Sequence, residues 1–237
     1  MLDLNKNYTL PAFVHNLVLE RIGNLPVFPD FTLEDAYQIG VDALNDTLNP
    51  GTEPFPAPVF NDVEPFYINI SEGSTLSEII VDLANQQLID STTELELKSL
   101  ESIISSSESF DYFDEKINLY INEINNNEEL SITGRIICLS SANIAIASKN
   151  FWLNAHNDSS SPWHQIVQDD DFLQTEQQSK TTKKKRGWFV KVLLVVACDV
   201  GGGAIGGALG SILGPAGAVA GATMVGGGAS AAATKNL

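Results

Sequence analysis

Three histidines, two cysteines and one aspartate set in an apolar run are the residues of this 237-residue chain best suited to chemistry. His156 and His164 lie close in sequence to Asp158 and to the run Asp169, Asp170 and Asp171, a set that offers metal-ligating atoms. Their spacing fits no established metal motif, and a solvated polar linker accounts for them better. His15 is followed by Asn16. On a helix that pair would bond neighbouring backbone or a carboxylate facing it, and a structural polar contact is the preferred reading over catalysis. Cys138 and Cys198 fall in different segments and read as small apolar residues. Two cysteines cannot make a cysteine-type metal site. There is no Gly-x-Ser-x-Gly elbow and no phosphate-binding loop. GGGAIGG at 201–207 resembles a dinucleotide fingerprint, but no further strand and helix follow it. The pair Glu128 and Glu129 reads as a solvated face. The expectation is a protein that is not an enzyme and holds no cofactor or metal.

Asp199 is a different case, because it sits where charge is costly. It carries two readings of equal weight. It would line an aqueous path in an oligomer, or it would cap a helix beginning at Val200, with the apolar run before it as a separate piece.

Around Asp199 the sequence changes character. Gly202, Gly206, Gly210 and Gly214 recur every four residues, Gly203 and Gly207 repeat the spacing one position on, and Gly217 and Gly221 resume it after Pro215. Residues four apart share a helix face, and glycine there opens a groove into which a second helix fits closely. In water each interior glycine costs a helix roughly 0.5–1 kcal/mol against alanine. The segment therefore needs a bilayer or a partner helix to stay helical. Phe189 to Leu213 is long enough to cross a hydrocarbon core about 30 Å thick, and Ala216 to Ala233 is just adequate. Gly214–Pro215 supplies the turn of a helical hairpin. Lys183, Lys184, Lys185, Arg186 and Trp188 precede it as a basic and aromatic membrane border. The alternatives to a membrane hairpin are a glycine/alanine hairpin buried under the rest of the chain and a disordered tail.

The elements before it are those of an all-α body. Helical spacing of apolar residues marks Thr9–Leu25 (with Phe13 on the apolar face), Thr32–Leu48, Ser74–Ile89, Thr93–Ser105 (with Leu95), Phe110–Asn125 and the long, apolar Ser131–Asn154. Thr32 with Asp35 resembles a capping box. The prolines at 50, 54, 56, 58 and 65 predict an extended connection, with one short strand within Val59–Ile70 broken at Pro65. The division expected is an acidic helical domain of five to six amphipathic helices over 1–156, a polar and basic linker over 157–187, and the glycine-zipper hairpin over 188–237.

Charge follows the same division. The net charge of −17 conceals 29 acidic against 7 basic residues up to position 182, and 6 basic against 1 acidic after it. So acidic a body excludes nucleic acid as a partner. The amino-terminal residues show no Sec-type signal peptide. If the hairpin inserts, the positive-inside tendency places the body on the cytoplasmic side.

The segments VHNLVLERI, SANIAIASKNFW and DVGGGAIGGALGSILGPAGAVAGATMVGG together resemble a group of uncharacterised bacterial proteins, seen mainly in Bacteroidota. The resemblance covers most of the chain in outline and implies no settled activity. The glycine segment is also similar to the glycine-rich helices of pore-forming bacteriocins. The function expected is a membrane-associating, self-packing glycine-zipper protein, pore-forming or bacteriocin-like, with membrane lipid and copies of itself as partners. The alternative is a soluble homo-oligomeric interaction protein whose hairpin is buried.

Overall fold

In a computed structural model, which describes residues 8–48, 58–168 and 180–234, ten helices and no strand are found. The chain is all-α. Its helices are α1 (Leu10–Gly23), α2 (Leu33–Leu48), α3 (Phe60–Ser71), α4 (Leu76–Asn85), α5 (Ser91–Ser106), α6 (Phe110–Asn126), α7 (Ile132–Asn157), α8 (His164–Gln168), α9 (Lys180–Gly210) and α10 (Pro215–Thr234). A single 3-10 turn, Ser211–Leu213, separates the last two.

The outer helices are specified locally. Thr75 caps α4 through a full capping box with Glu78, Asp90 caps α5 on the Thr93 amide, and Ser109 and Ser131 do the same for α6 and α7. At the start of α2 the Thr32 hydroxyl accepts from the Asp35 amide and the Asp35 carboxylate accepts from the Thr32 amide, as the sequence predicts. Each amphipathic helix then buries one stripe: Leu97, Leu100 and Ile104 on α5, and Phe113, Ile117, Tyr120 and Ile124 on α6.

The centre is organised differently. α10 packs against α9, α7, α1, α2 and α3, and every residue from Gly217 to Thr234 is buried. The hairpin is the core of the bundle, and the acidic helices are its sheath.

Four expectations are corrected. Phe13 and Leu95 point outward, 63% and 68% exposed, because Val14, Val18 and Ile22 on α1 and Leu97 and Leu100 on α5 already fill the inward stripes. The short strand within Val59–Ile70 is instead helix α3, with Pro65 inside it. Val63, Phe66, Tyr67 and Ile70 all reach the core from it, and that burial outweighs the hydrogen bond Pro65 removes. The segment 157–187 contains structure as well. Trp163 is buried there, its indole N–H donates to the Leu19 carbonyl at 3.0 Å, and its ring meets Trp152 edge-on. Helix α9 also begins at Lys180, inside the expected linker.

Candidate functional site

Glycine decides how the two arms meet. A Cβ placed on Gly206 would fall on the Gly221 carbonyl, one on Gly210 would fall on the Gly217 carbonyl, and one on Gly202 would overlap the Ala229 methyl. Gly217 and Gly221 return these contacts against Gly210 and Gly206. Only hydrogen fits there, so the backbones of α9 and α10 touch directly. The second glycine register serves another neighbour. Gly203 and Gly207 face Ile144 and Ile137 of α7, and Gly201 faces Ile79 of α4. On α10, Gly226 faces Ile144, Gly227 faces Val18 of α1, and Gly228 makes room for the Tyr67 hydroxyl. The four-residue spacing is thus several contact lines aimed at different helices. Gly214 belongs to none of them. Its φ of +84° places it in the left-handed region, nothing lies within 4 Å of an added Cβ, and it makes the turn before Pro215.

Within this packing lies one polar cluster. Asp199 is inside the continuous helix α9, so it caps nothing. Its side chain is fully buried. One carboxylate oxygen, Oδ2, accepts from the Ser148 hydroxyl of α7 at 2.5 Å and from the Ser230 hydroxyl of α10 at 2.8 Å. The same oxygen lies 3.1 Å from His15 Nε2 of α1. The other oxygen, Oδ1, has no hydrogen-bond partner among the described residues. His15 is also fully buried, and its Nδ1 stands 2.9 Å from the side-chain oxygen of Asn16. Both ring nitrogens face oxygens, an arrangement that suits a ring with a hydrogen on each. The geometry is that of a buried imidazole–carboxylate pair inside an apolar core, at the meeting point of four helices.

Such a pair is costly to desolvate, and removing one partner strands the other charge. The hydroxyls of Ser148 and Ser230 supply the extra donors that a buried carboxylate requires. Of the two contacts expected for His15, neighbouring backbone or a facing carboxylate, the structure has the second, with Asp199, 184 positions away. Ser148 and Ser230 went unnoticed in the sequence. Nothing in the sequence sets them apart from the other buried hydroxyls of the same helices, Ser140 and Ser141 on α7 and Thr223 and Thr234 on α10.

The remaining singled-out residues fall elsewhere. Trp188 is half-buried, stacked on His156 at 4.2 Å between ring centroids and edge-on to Phe110. The side chains of Lys183, Lys184, Lys185 and Arg186 lie outside the described residues, although their backbone is in α9. His164 Nδ1 meets the Ala155 carbonyl at 3.0 Å, and burial together with His164 holds the His156 imidazole below its ordinary value. Asp169, Asp170 and Asp171 lie outside the described residues. Among the described residues no three histidine, cysteine or acidic side chains group to hold a metal. Cys138 and Cys198 are free thiols.

Two described helical stretches are long and apolar enough to cross a bilayer, Ile132–Asn157 and Gly187–Leu213. Their most apolar windows are 67% and 78% buried inside the bundle. The arm Pro215–Thr234 is not among them, because glycine and alanine contribute little apolarity. No protein-family model matches the chain, and neither a curated protein nor a solved structure is similar to it.

Proposed function

We propose that this chain stores a membrane-directed helical hairpin inside a water-soluble acidic sheath, and delivers α9 and α10 to a bilayer when the sheath opens. The observation that carries the reading is the placement of the hairpin. Val200 to Thr234 contains no charged residue, and apart from its tip this stretch lies inside the bundle rather than as an appendage. The hairpin shows solvent an apolar tip, with Ile212 76% exposed and Leu213 more than half exposed, and the apolar residues Val190 and Leu194 on α9. An exposed apolar tip is the part of a sheathed hairpin that meets lipid first. Once inserted, α9 supplies the spanning apolar arm. α10, the less apolar arm, keeps its place by the same backbone contacts at Gly206, Gly210, Gly217 and Gly221 that hold it in water. Glycine-zipper self-association between copies belongs to that inserted state, since in the soluble bundle those faces are occupied within one chain.

A second reading has its own support. Gly226, Gly227 and Gly228 fit α10 to three different sheath helices, as expected of a permanent core. On that reading the chain is a soluble interaction protein and the hairpin never leaves.

Flotation and dye release with vesicles of phosphatidylcholine and a minority of phosphatidylglycerol separate the two readings. The full chain is the right material, since truncation before α9 would remove its core. The wild type is expected to float and release dye, and an Ile212→Ser/Leu213→Ser variant of unchanged helicity is expected to lose at least half of both, as the tip is the part of the hairpin most exposed to solvent. A wild type that stays in the aqueous fraction at neutral and acidic pH leaves only the soluble reading.

A further inference from the structure

We propose that Asp199 and His15 form a proton-operated latch that holds the hairpin in the bundle and opens on acidification; the inference rests on the stored-hairpin reading and adds its trigger. The latch is a fully buried pair at a single point where α1, α7, α9 and α10 converge. Every donor to the carboxylate comes from a helix other than its own. Breaking this one acceptor therefore loosens the hairpin from two of its polar attachments to the sheath, His15 and Ser148. It also removes the Ser230 tie between the two arms.

Acid acts on the pair in one direction. Taken as an imidazolium facing a carboxylate, the pair has one place left for a further proton, Asp199 Oδ1, which no group bonds among the described residues. A protonated Asp199 no longer balances the cation, and His15 is left as an unpaired charge in the core. The core then gains by opening and letting water reach His15. The same proton removes the one formal negative charge on α9 between Gly187 and Gly210, which lowers the cost of placing that helix in hydrocarbon. Release and readiness to insert thus share a single event.

Among the described residues no other charged group is bonded to the pair. On α7 the neighbouring Lys149 turns away to α6, where its ammonium donates to both oxygens of Asp114 at 2.7 Å. α10 has no titratable residue between Pro215 and Thr234. On α9 the Cys198 thiol is uncharged wherever carboxylates titrate, and Lys191 lies about 12 Å along the helix from Asp199. On α3 Tyr67 donates to the Val225 carbonyl at 3.2 Å, more than one turn before Ser230.

Hydrogen exchange of the full chain without lipid tests the latch apart from the membrane. Between pH 7 and about pH 4, with rates corrected for intrinsic exchange, protection of the α10 amides is expected to fall by about tenfold or more. Amides of α5 and α6 are expected to keep theirs at the onset of that loss. In His15→Gln/Asp199→Asn, which replaces the ion pair by a neutral pair of similar shape, the acid loss at α10 should vanish. A wild type that keeps α10 protected throughout overturns the latch, and so does a double variant that loses protection in parallel with it. Should the double variant lack helical circular dichroism, Ser148→Ala/Ser230→Ala decides instead. Stripped of two donors, the carboxylate takes its proton more readily, so protection must fail at a higher pH than in the wild type, and an unmoved midpoint overturns the proposal. Dye release measured alongside reports on the membrane reading alone: α10 opening without leakage keeps the latch and removes the membrane role.

Discussion

The sheath helices and the central hairpin solve the problem of being helical in opposite ways. α4, α5, α6 and α7 begin at side-chain caps, and α4 to α6 each turn one apolar stripe inward. Each is encoded within its own residues, and its neighbours need only be apolar. α10 has neither stripe nor charge, and most of its residues are glycine and alanine. It stays helical because five other helices fit against it. The difference locates fragility. Damage to the sheath is local, whereas damage to the hairpin reaches every helix that rests on it.

The sharpest way to break this contrast is to add one carbon at the closest approach. A methyl on Gly206 meets the Gly221 carbonyl and the Val225 side chain at once, and backbone cannot step aside as a flexible side chain would. Gly206→Ala is expected to cost about 3 kcal/mol or more in urea denaturation, the upper range for overpacking. Gly73, with φ of +93° and open space around it, serves as the control. Its replacement by alanine should cost about 1 kcal/mol, from backbone conformation alone. Equal losses at the two sites would mean that the hairpin is loosely packed and the contrast is wrong.

A smaller effect is expected in the sheath. Thr75→Ala removes the hydroxyl half of a capping box at the exposed start of α4, the bond accepted from the Glu78 amide at 3.3 Å, and leaves the backbone N–H that donates to Glu78 at 2.8 Å. The expected loss is about 1 kcal/mol. Hydrogen exchange should confine the change to the first turns of α4. If protection on α10 fell too, the sheath and hairpin would be one cooperative unit rather than a local code wrapped around a global one.

That division also explains what was legible in the sequence. The body helices could be read because Thr32 and Asp35, and the spacing of Phe113, Ile117, Tyr120 and Ile124, act within a few residues of one another. The turn at Gly214–Pro215 could be read for the same reason. The four-residue glycine spacing announced close helix contact, but not its partners, because a missing side chain records only that something is near. Hence Gly202 and Gly206 meet α10 while Gly203 and Gly207 meet α7, and Gly214, in register with the first set, meets nothing. Pro65 misled because its local cost is visible, while the burial of Phe66 and Tyr67 that offsets it is not. Asp199 was visible as an anomaly, but its partners were not. His15, Ser148 and Ser230 lie 184, 51 and 31 positions away, and no periodicity connects them.

The smallest effect sharpens the comparison at the edge where sheath and hairpin meet. His156, at the end of α7, stacks on Trp188 near the start of α9. Its imidazole is held below the ordinary value of 6.5, first by burial and then by the nearby His164. The folded state therefore favours the neutral ring, and the unfolded chain takes up its proton first as pH falls. The contribution of His156 is complete above about pH 6.5 and declines as pH drops through that value toward the lower folded one. A phenyl ring keeps the stacking and has no proton to gain. The stability of His156→Phe relative to wild type should thus rise as pH falls from about 7.5 to 5.5, as read by denaturation at each pH. The sign matters because the latch proposed at Asp199 also opens in acid, by a different means. The histidine edge responds near pH 6.5, ahead of the range where carboxylates take up protons. If His156→Phe removed the whole acid dependence of α10, opening would be controlled at the rim of the bundle. If it removed only the part nearest neutrality, the remainder would belong to the core, where a single carboxylate joins two sheath helices to the hairpin.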